Sequence, residues 1–239
     1  MIVKEKIEYI YGSTIKYAFK AVNPIKKKIM KTPCIVHKFI NRKALDILRK
    51  ENEIEAYRFF YRYIDELNQG VVWADQDFKS INHFFHHKKE KGLYGFSNAF
   101  KLCEDYYEKS IRFCVDGNIK AAMFYLGAAC HLIQDSTVPH HVHNKLLKQH
   151  RSFELWIKYE LVSGNCFNDI GSITRYGDLY EYIKSNAKNA YEIYYKCEGL
   201  HDINLRYKII SDNIILKAQS STAGVLMDFY EIYKKSLVK

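Results

Sequence analysis

Apolar positions recur at helical spacing along most of this chain. From Cys34 onward, Val36, Phe39, Ile40, Ala44, Ile47 and Leu48 share one face of a helix that runs to about Lys50. A second apolar face, Ala56, Phe59, Phe60, Tyr63 and Ile64, predicts a helix over 51–67 that stops at Asn68-Gln69-Gly70. The stretch VVWADQDFKSINHFFHHKKEKGLYG then loses the period and reads as a long loop. The helical pattern returns over 94–115 and 118–135, divided by Asp116-Gly117, and again over 149–163, 178–197 and 203–236, with a loop from Gly164 to Gly177. Only three Pro and 11 Gly occur, so long stretches run without a breaker, and no clear strand alternation stands out. The expectation is an all-α protein: a single multi-helix domain of about seven to nine helices over 34–239, preceded by a basic amphipathic segment over 1–33. Hydrophobic residues make up 48% of the chain, enough for a sizeable core, and no apolar run is long enough to span a bilayer.

Chemistry concentrates in HLIQDSTVPHHVHNKLLKQHRSFE, from His131 to Glu154. His131 and Asp135 stand four apart, as do His150 and Glu154, so on helices each pair lies on one face, a turn apart. Pro139 separates the two helices and is followed by His140, His141 and His143. A His–Asp pair at this spacing is commonly a surface hydrogen bond. Here, however, the apolar run AAMFYLGAAC precedes it, and His and Asp are costly to bury unless paired or bound to metal. Imidazole and carboxylate are the donors zinc takes where thiolates are absent, so a zinc-lined cleft is expected.

At these residues the chain resembles the bacterial zinc-dependent phospholipases C, the family of the clostridial alpha-toxin. His131, Asp135, Pro139, His141 and Asn144 match its signature, and His150 with Glu154 match the His-x-x-x-Glu that completes it. Leu132 and Gln134 replace a usual Tyr and Gly, changes that do not touch the ligands. His37, seven residues before Ala44 and followed by Leu45-Asp46-Ile47, resembles a further ligand His. Asp75 and His83, the latter before Phe84-Phe85, resemble the family's loop ligands, with Asp77 as the rival carboxylate. His86 and His87 read as surface residues, since the charged run Lys88-Lys89-Glu90-Lys91 follows them.

The resemblance implies a helical catalytic domain and two or three Zn2+ ions. One would be held by Asp75, His83, His131 and Asp135, a second by His141, His150 and Glu154, and a third by Asp135 and His37. In the family the third is completed by the terminus of an N-terminal Trp; no Trp precedes His37 here. The implied reaction hydrolyses phospholipid to diacylglycerol and a phosphorylated headgroup, with Asp75 as the catalytic residue that orients water. Choline-preferring members carry aromatics where Gln76 and Ser80 stand, so headgroup preference is not carried over; Phe78 or Trp73 could substitute, or could simply pack. The toxin's C-terminal β-sandwich is not expected within these residues. The alternatives are a single-strand-specific zinc nuclease and a non-catalytic, membrane-associated helical relative.

Charge and cysteines change the picture in two places. Residues 1–50 hold thirteen Lys and Arg against Glu5, Glu8 and Asp46, so the whole net charge of +10 resides there. The segment MIVKEKIEYIYGSTIKYAFKAVNPIKKKIMK interleaves that charge with Ile, Tyr and Phe, which suits either an anionic membrane surface or a packed helix with solvated lysines. Charge interrupts every candidate signal core, which favours a cytoplasmic or membrane-peripheral protein, although the resembled family is secreted. The expected partners are phospholipid and its membrane surface, with nucleic acid only under the nuclease alternative. Cys34, Cys103, Cys114, Cys130, Cys166 and Cys197 form no CxxC pair and read as buried, reduced thiols.

Overall fold

The computed structural model describes residues 34–76, 83–90, 92, 98–143, 148–164 and 167–237, and side chains of 148–150 lie outside that description. The segment 1–33, where the basic amphipathic reading falls, lies outside it too. The described residues form nine helices: α1 (Ile35–Lys50), α2 (Ile54–Arg62), α3 (Ile64–Asp75), α4 (Ala99–Val115), α5 (Ile119–Asp135), α6 (Pro139–Val142), α7 (Lys148–Ser163), α8 (Leu179–Lys196) and α9 (Ile203–Ser236). No strand occurs among them. The fold is all-α, as the apolar period predicts.

The centre of the fold is α5. Every residue from Leu126 to Asp135 is buried, because α3, α4, α8 and α9 pack around it. α4 and α5 form a hairpin across Asp116-Gly117, where Gly117 takes the left-handed φ of 77° that closes the turn. Asn98 and Asn118 cap the two helices by accepting from the Lys101 and Ala121 amides at 3.1 and 3.2 Å. Phe60, Leu67, Met123, Leu126, Leu132, Ile133, Tyr182 and Phe229 fill the main core. A smaller apolar cluster, built on Phe153, Ile157, Ile193, Ile210 and Ile214, ties α7 to α8 and α9.

One expectation fails instructively. Asn68-Gln69-Gly70 does not stop a helix; the break comes earlier, at Tyr63, and α3 runs on through Gly70 to Asp75. Gly70 is there for closeness. A Cβ on Gly70 would lie 1.8 Å from the Phe124 carbonyl oxygen, and one on Gly127 would lie 1.9 Å from the Leu67 oxygen. α3 and α5 therefore touch backbone to backbone through a reciprocal pair of glycines. As a result Asp75 ends a rigid helix rather than sitting in a loop, and α3 carries it to the level of α5's last turn.

This contact is testable. Gly70→Ala and Gly127→Ala are each expected to cost ~3 kcal/mol, the upper part of the range for overpacking, since main chain rather than a flexible side chain must give way. Urea unfolding should show a lower midpoint at unchanged slope. The double variant should cost less than the sum, because both residues serve one contact.

Candidate metal centre

The last turn of α5 carries His131 and Asp135, 1% and 4% exposed, into the interior. Below them the Ser136 and Thr137 hydroxyls donate to the Ile133 and Gln134 carbonyls at 2.6 and 2.7 Å, satisfying the helix end. Pro139 opens the single turn α6 and places His141 back over Asp135. Two backbone bonds, Phe85 N–H to the His141 oxygen at 3.2 Å and His87 N–H to the Val142 oxygen at 3.3 Å, fasten residues 83–90 along α6. That fastening brings in His83, while Phe84 stacks on the His141 ring at 5.0 Å. α1, packed on α9, supplies His37 from the opposite side.

Four imidazoles thus surround one carboxylate. Asp135 Oδ2 lies 2.9 Å from His83 Nδ1, 3.2 Å from His131 Nε2 and 3.5 Å from His141 Nδ1. Asp135 Oδ1 lies 3.5 Å from His37 Nε2. The two oxygens therefore serve two sides. His83 Nδ1 and His131 Nε2 are themselves 3.3 Å apart. Donor atoms ~2.1 Å from a tetrahedral zinc stand ~3.4 Å from one another, so this spacing suits a zinc ion. The donor atoms of His37, His131 and Asp135 fall within 4.8 Å of each other.

His37 gives the sharpest indication that a cation fits. Gln134, expected to leave the ligands untouched, in fact bonds one of them: its Oε1 lies 2.8 Å from His37 Nδ1. The Gln134 amide nitrogen donates to Asn41 Oδ1 at 2.9 Å and Thr222 Oγ1 at 3.1 Å, which identifies Oε1 as the acceptor. Asn41 in turn donates to Asn68 Oδ1 at 3.0 Å. His37 Nδ1 therefore carries the hydrogen, and burial together with the charge of His131 pushes the His37 pKa down, keeping the ring neutral. Its Nε2 lone pair then faces the Asp135 carboxylate, an arrangement that a cation between them makes favourable.

The charges around Asp135 point the same way. Burial works against the Asp135 carboxylate, but the charges of His131 and His141 and bonds from His131 and His83 outweigh it and hold the pKa well below the usual carboxylate range. For His131, burial pushes the pKa down, and the Asp135 charge and hydrogen bond more than offset it, so it rises. Positive charge beside Asp135 is what keeps this buried carboxylate ionised.

The remaining predicted residues sit as follows. Asp75, half-buried at the end of α3, accepts from Cys34 Sγ at 2.9 Å, and its charge acts on both His37 and His131. Glu154, on α7, also acts electrostatically on His131. The His150 side chain, Asp77, Phe78, Ser80 and Asn144 lie outside the described residues. Trp73 packs against Tyr106, Phe124 and Tyr125 at 5.3–6.1 Å, which makes it core rather than headgroup pocket. His86 and His87 are half-buried rather than on the surface, with the His87 ring 5.2 Å from Tyr191. From the sequence, Gln134 reads as a change outside the ligands and Cys34 as one more buried thiol, and neither contact is foreseen. A polar Gln inside an apolar helix, one residue before Asp135, was the available signal for the first. For the second there was only its place three residues before His37.

The family model described as zinc dependent phospholipase C matches residues 36–209, which include every candidate metal ligand named above. The chain belongs to that family. Among solved structures, the alpha toxin from Clostridium absonum shares the fold at a TM-score of 0.71 with 17% identity, over 82% of this chain and 63% of that one. The Clostridium perfringens alpha-toxin from an avian strain follows at 0.68 with 18% identity, over 83% and 64%. This chain thus spans under two thirds of the length of both toxins. No curated protein sequence matches it. The family is zinc-dependent, in agreement with the donor set around Asp135.

Because Gln134 fixes the His37 tautomer, Gln134→Leu should weaken zinc binding on the His37 side at least tenfold, the usual scale for a lost outer partner of a ligating His. Competition with a chromophoric chelator reads this out. An unchanged affinity would show that Gln134 is only a core hydrogen bond.

Proposed function

We propose that this protein is a zinc-dependent phosphodiester hydrolase of the phospholipase C type, cleaving phospholipid at a membrane surface to diacylglycerol and a phosphorylated headgroup. The observation that carries the reading is the buried Asp135 carboxylate, with His37 on one oxygen and His83, His131 and His141 on the other. Membership of the zinc-dependent phospholipase C family supports it.

In this reading Asp75, His83, His131 and Asp135 hold one ion, His141, His150 and Glu154 a second, and Asp135 with His37 a third. Zinc supplies neutralisation of the phosphodiester, a water nucleophile near neutral pH and stabilisation of the leaving alkoxide. The protein's own contribution is positional. Asp135 presents one oxygen to His37 and the other to His83, His131 and His141, so this one buried carboxylate would serve both ligand sets. Asp75 orients the attacking water and takes its proton. Water adds to phosphorus, the bond from phosphorus to the glycerol oxygen breaks, and that oxygen takes a proton from solvent as diacylglycerol leaves, Asp75 giving its own back to solvent. The family resemblance and the four-imidazole arrangement support the enzyme over a non-catalytic relative.

Two experiments test the proposal. Purified protein should hydrolyse a short-chain phospholipid, lose that activity with a chelator and recover it with zinc, while single-stranded DNA stays intact. Chelator-sensitive cleavage of the DNA instead would overturn the phospholipase reading in favour of a nuclease. Chelation should also lower the melting temperature, because metal held only by the folded chain adds its binding free energy to stability. Second, Asp75→Asn should lower kcat by roughly 10²–10⁴, the scale of a lost acid–base group. Asp135→Asn should cost more in both activity and bound zinc, since it serves both sides. Equal zinc content and turnover in wild type and Asp135→Asn would sink the bridging role.

A further inference from the structure

We propose that residues 1–33 of this chain dock, apolar side inward, on the outer face of α7 and the start of α9. The docking needs no metal and is independent of the zinc chemistry above.

α7 is apolar on two sides. Phe153 and Ile157 turn into the smaller core. Leu155, Tyr159 and Val162, at i, i+4 and i+7, form a second stripe that is 53%, 68% and 77% exposed. On α9, Ile203, Leu205 and Ile209 are exposed as well. A groove between the two helices, lined by Trp156, Tyr159, Glu160, Asn204, Leu205 and Lys208, joins the two sets into one surface. Six of the eleven large apolar side chains exposed among the described residues fall on these two short stretches. Such a cluster marks a contact face, unlike the ordinary scatter of single apolar residues over a surface.

The chain supplies an occupant at this place. α1 packs on α7, and its Val36 and Phe39 pack against the same apolar cluster as Trp156 and Leu161. Lys158 of α7 lies close enough for its charge to act on Cys34, the N-cap of α1. Residues 1–33 therefore join the fold beside the middle of α7, where Tyr159 stands. Their composition fits the face. Ile2, Val3, Ile7, Ile10, Ile15 and Phe19 alternate with Lys, and the 33 residues hold eight Lys against Glu5 and Glu8. An apolar side can thus be buried while the lysines keep their heads in water. The nine residues from Ile25 to Pro33 can span up to ~30 Å. Leu155 to Val162 occupies only ~10 Å of helix, so the apolar residues 2–19 are within reach of the whole stripe. Segment and face would each remove the other's apolar surface from water. A tethered partner also acts at an effective concentration on the order of millimolar, which favours it over a second copy or a lipid surface.

Photocrosslinking in the purified full chain provides the test. p-Benzoylphenylalanine in place of Tyr159 should crosslink within the molecule to a peptide from residues 1–33, identified by mass spectrometry. The same group in place of Tyr61, exposed on α2, should not. Crosslinks from position 159 that join only separate molecules would assign the face to a second copy, and crosslinks only to lipid in phosphatidylglycerol vesicles would assign it to a membrane. Either result overturns the proposal, as does the absence of any crosslink into 1–33. The double variant Leu155→Asp, Val162→Asp gives a second reading. Brief trypsin treatment should cut at the lysines of 1–33 at least tenfold faster than in wild type, with the helical domain left intact. Equal cutting rates in the two proteins would overturn the docking as well.

Discussion

A carboxylate buried at 4% exposure, with imidazoles on both of its oxygens, is the constraint from which the rest of this molecule can be understood. A charge so placed is costly unless positive groups answer it from close range. Asp135 therefore requires His131 from its own helix, His83 and His141 from the two segments fastened to each other beside it, and His37 from α1. Each of those four must be held, and each has its own restraint: a helix turn, two backbone bonds from 83–90 to α6, a stacked Phe84, and the Gln134 amide.

The scaffold serves that requirement by bringing backbones close. α5 is buried over its last ten residues, Leu126 to Asp135, and so has no solvent face on which polar residues could be accommodated cheaply. Gly70 and Gly127 let α3 approach it without intervening side chains, which sets the height of Asp75. On the other side, Ser221 and Thr222 of α9 leave room for a polar layer: Thr222 accepts from Gln134, and Ser221 accepts from Asn186, whose amide also reaches the Ile133 carbonyl. The chain of amides from Gln134 through Asn41 to Asn68 runs beneath the imidazoles as a second layer that fixes a tautomer. Such buried polar layers hold geometry well only when every member is satisfied.

Much of this was legible in the residues alone. The helical period marks α1, α4, α5, α7, α8 and α9, because each has a face that must be buried. The spacing of His131 and Asp135 and the break at Pro139 announce two helix ends meeting, because a ligand pair on one helix face and a proline both act locally. The resemblance added His37, Asp75, His83 and His141 as expected ligands, and His37, His83 and His141 stand around Asp135 in the fold, with Asp75 at the edge of the same pocket. The amide chain behind His37 was not legible, since Gln134, Asn41 and Asn68 are far apart in the chain and none announces its partner.

What the sequence by itself determined is the local part: helix faces, helix ends, and which residue types are available at one turn's spacing. Periodicity and capping depend on neighbours a few positions away, so one dimension is enough to read them. What only the tertiary structure decided is the meaning of residues whose neighbours are distant. Gly70 looks like a stop signal in the chain, yet it is a contact surface, because the Phe124 carbonyl that a Cβ would collide with there arrives from another helix. Cys34 looks like one more buried thiol, yet packing sets it against Asp75, 41 residues on. In both cases the deciding atom belongs to a partner that only packing supplies.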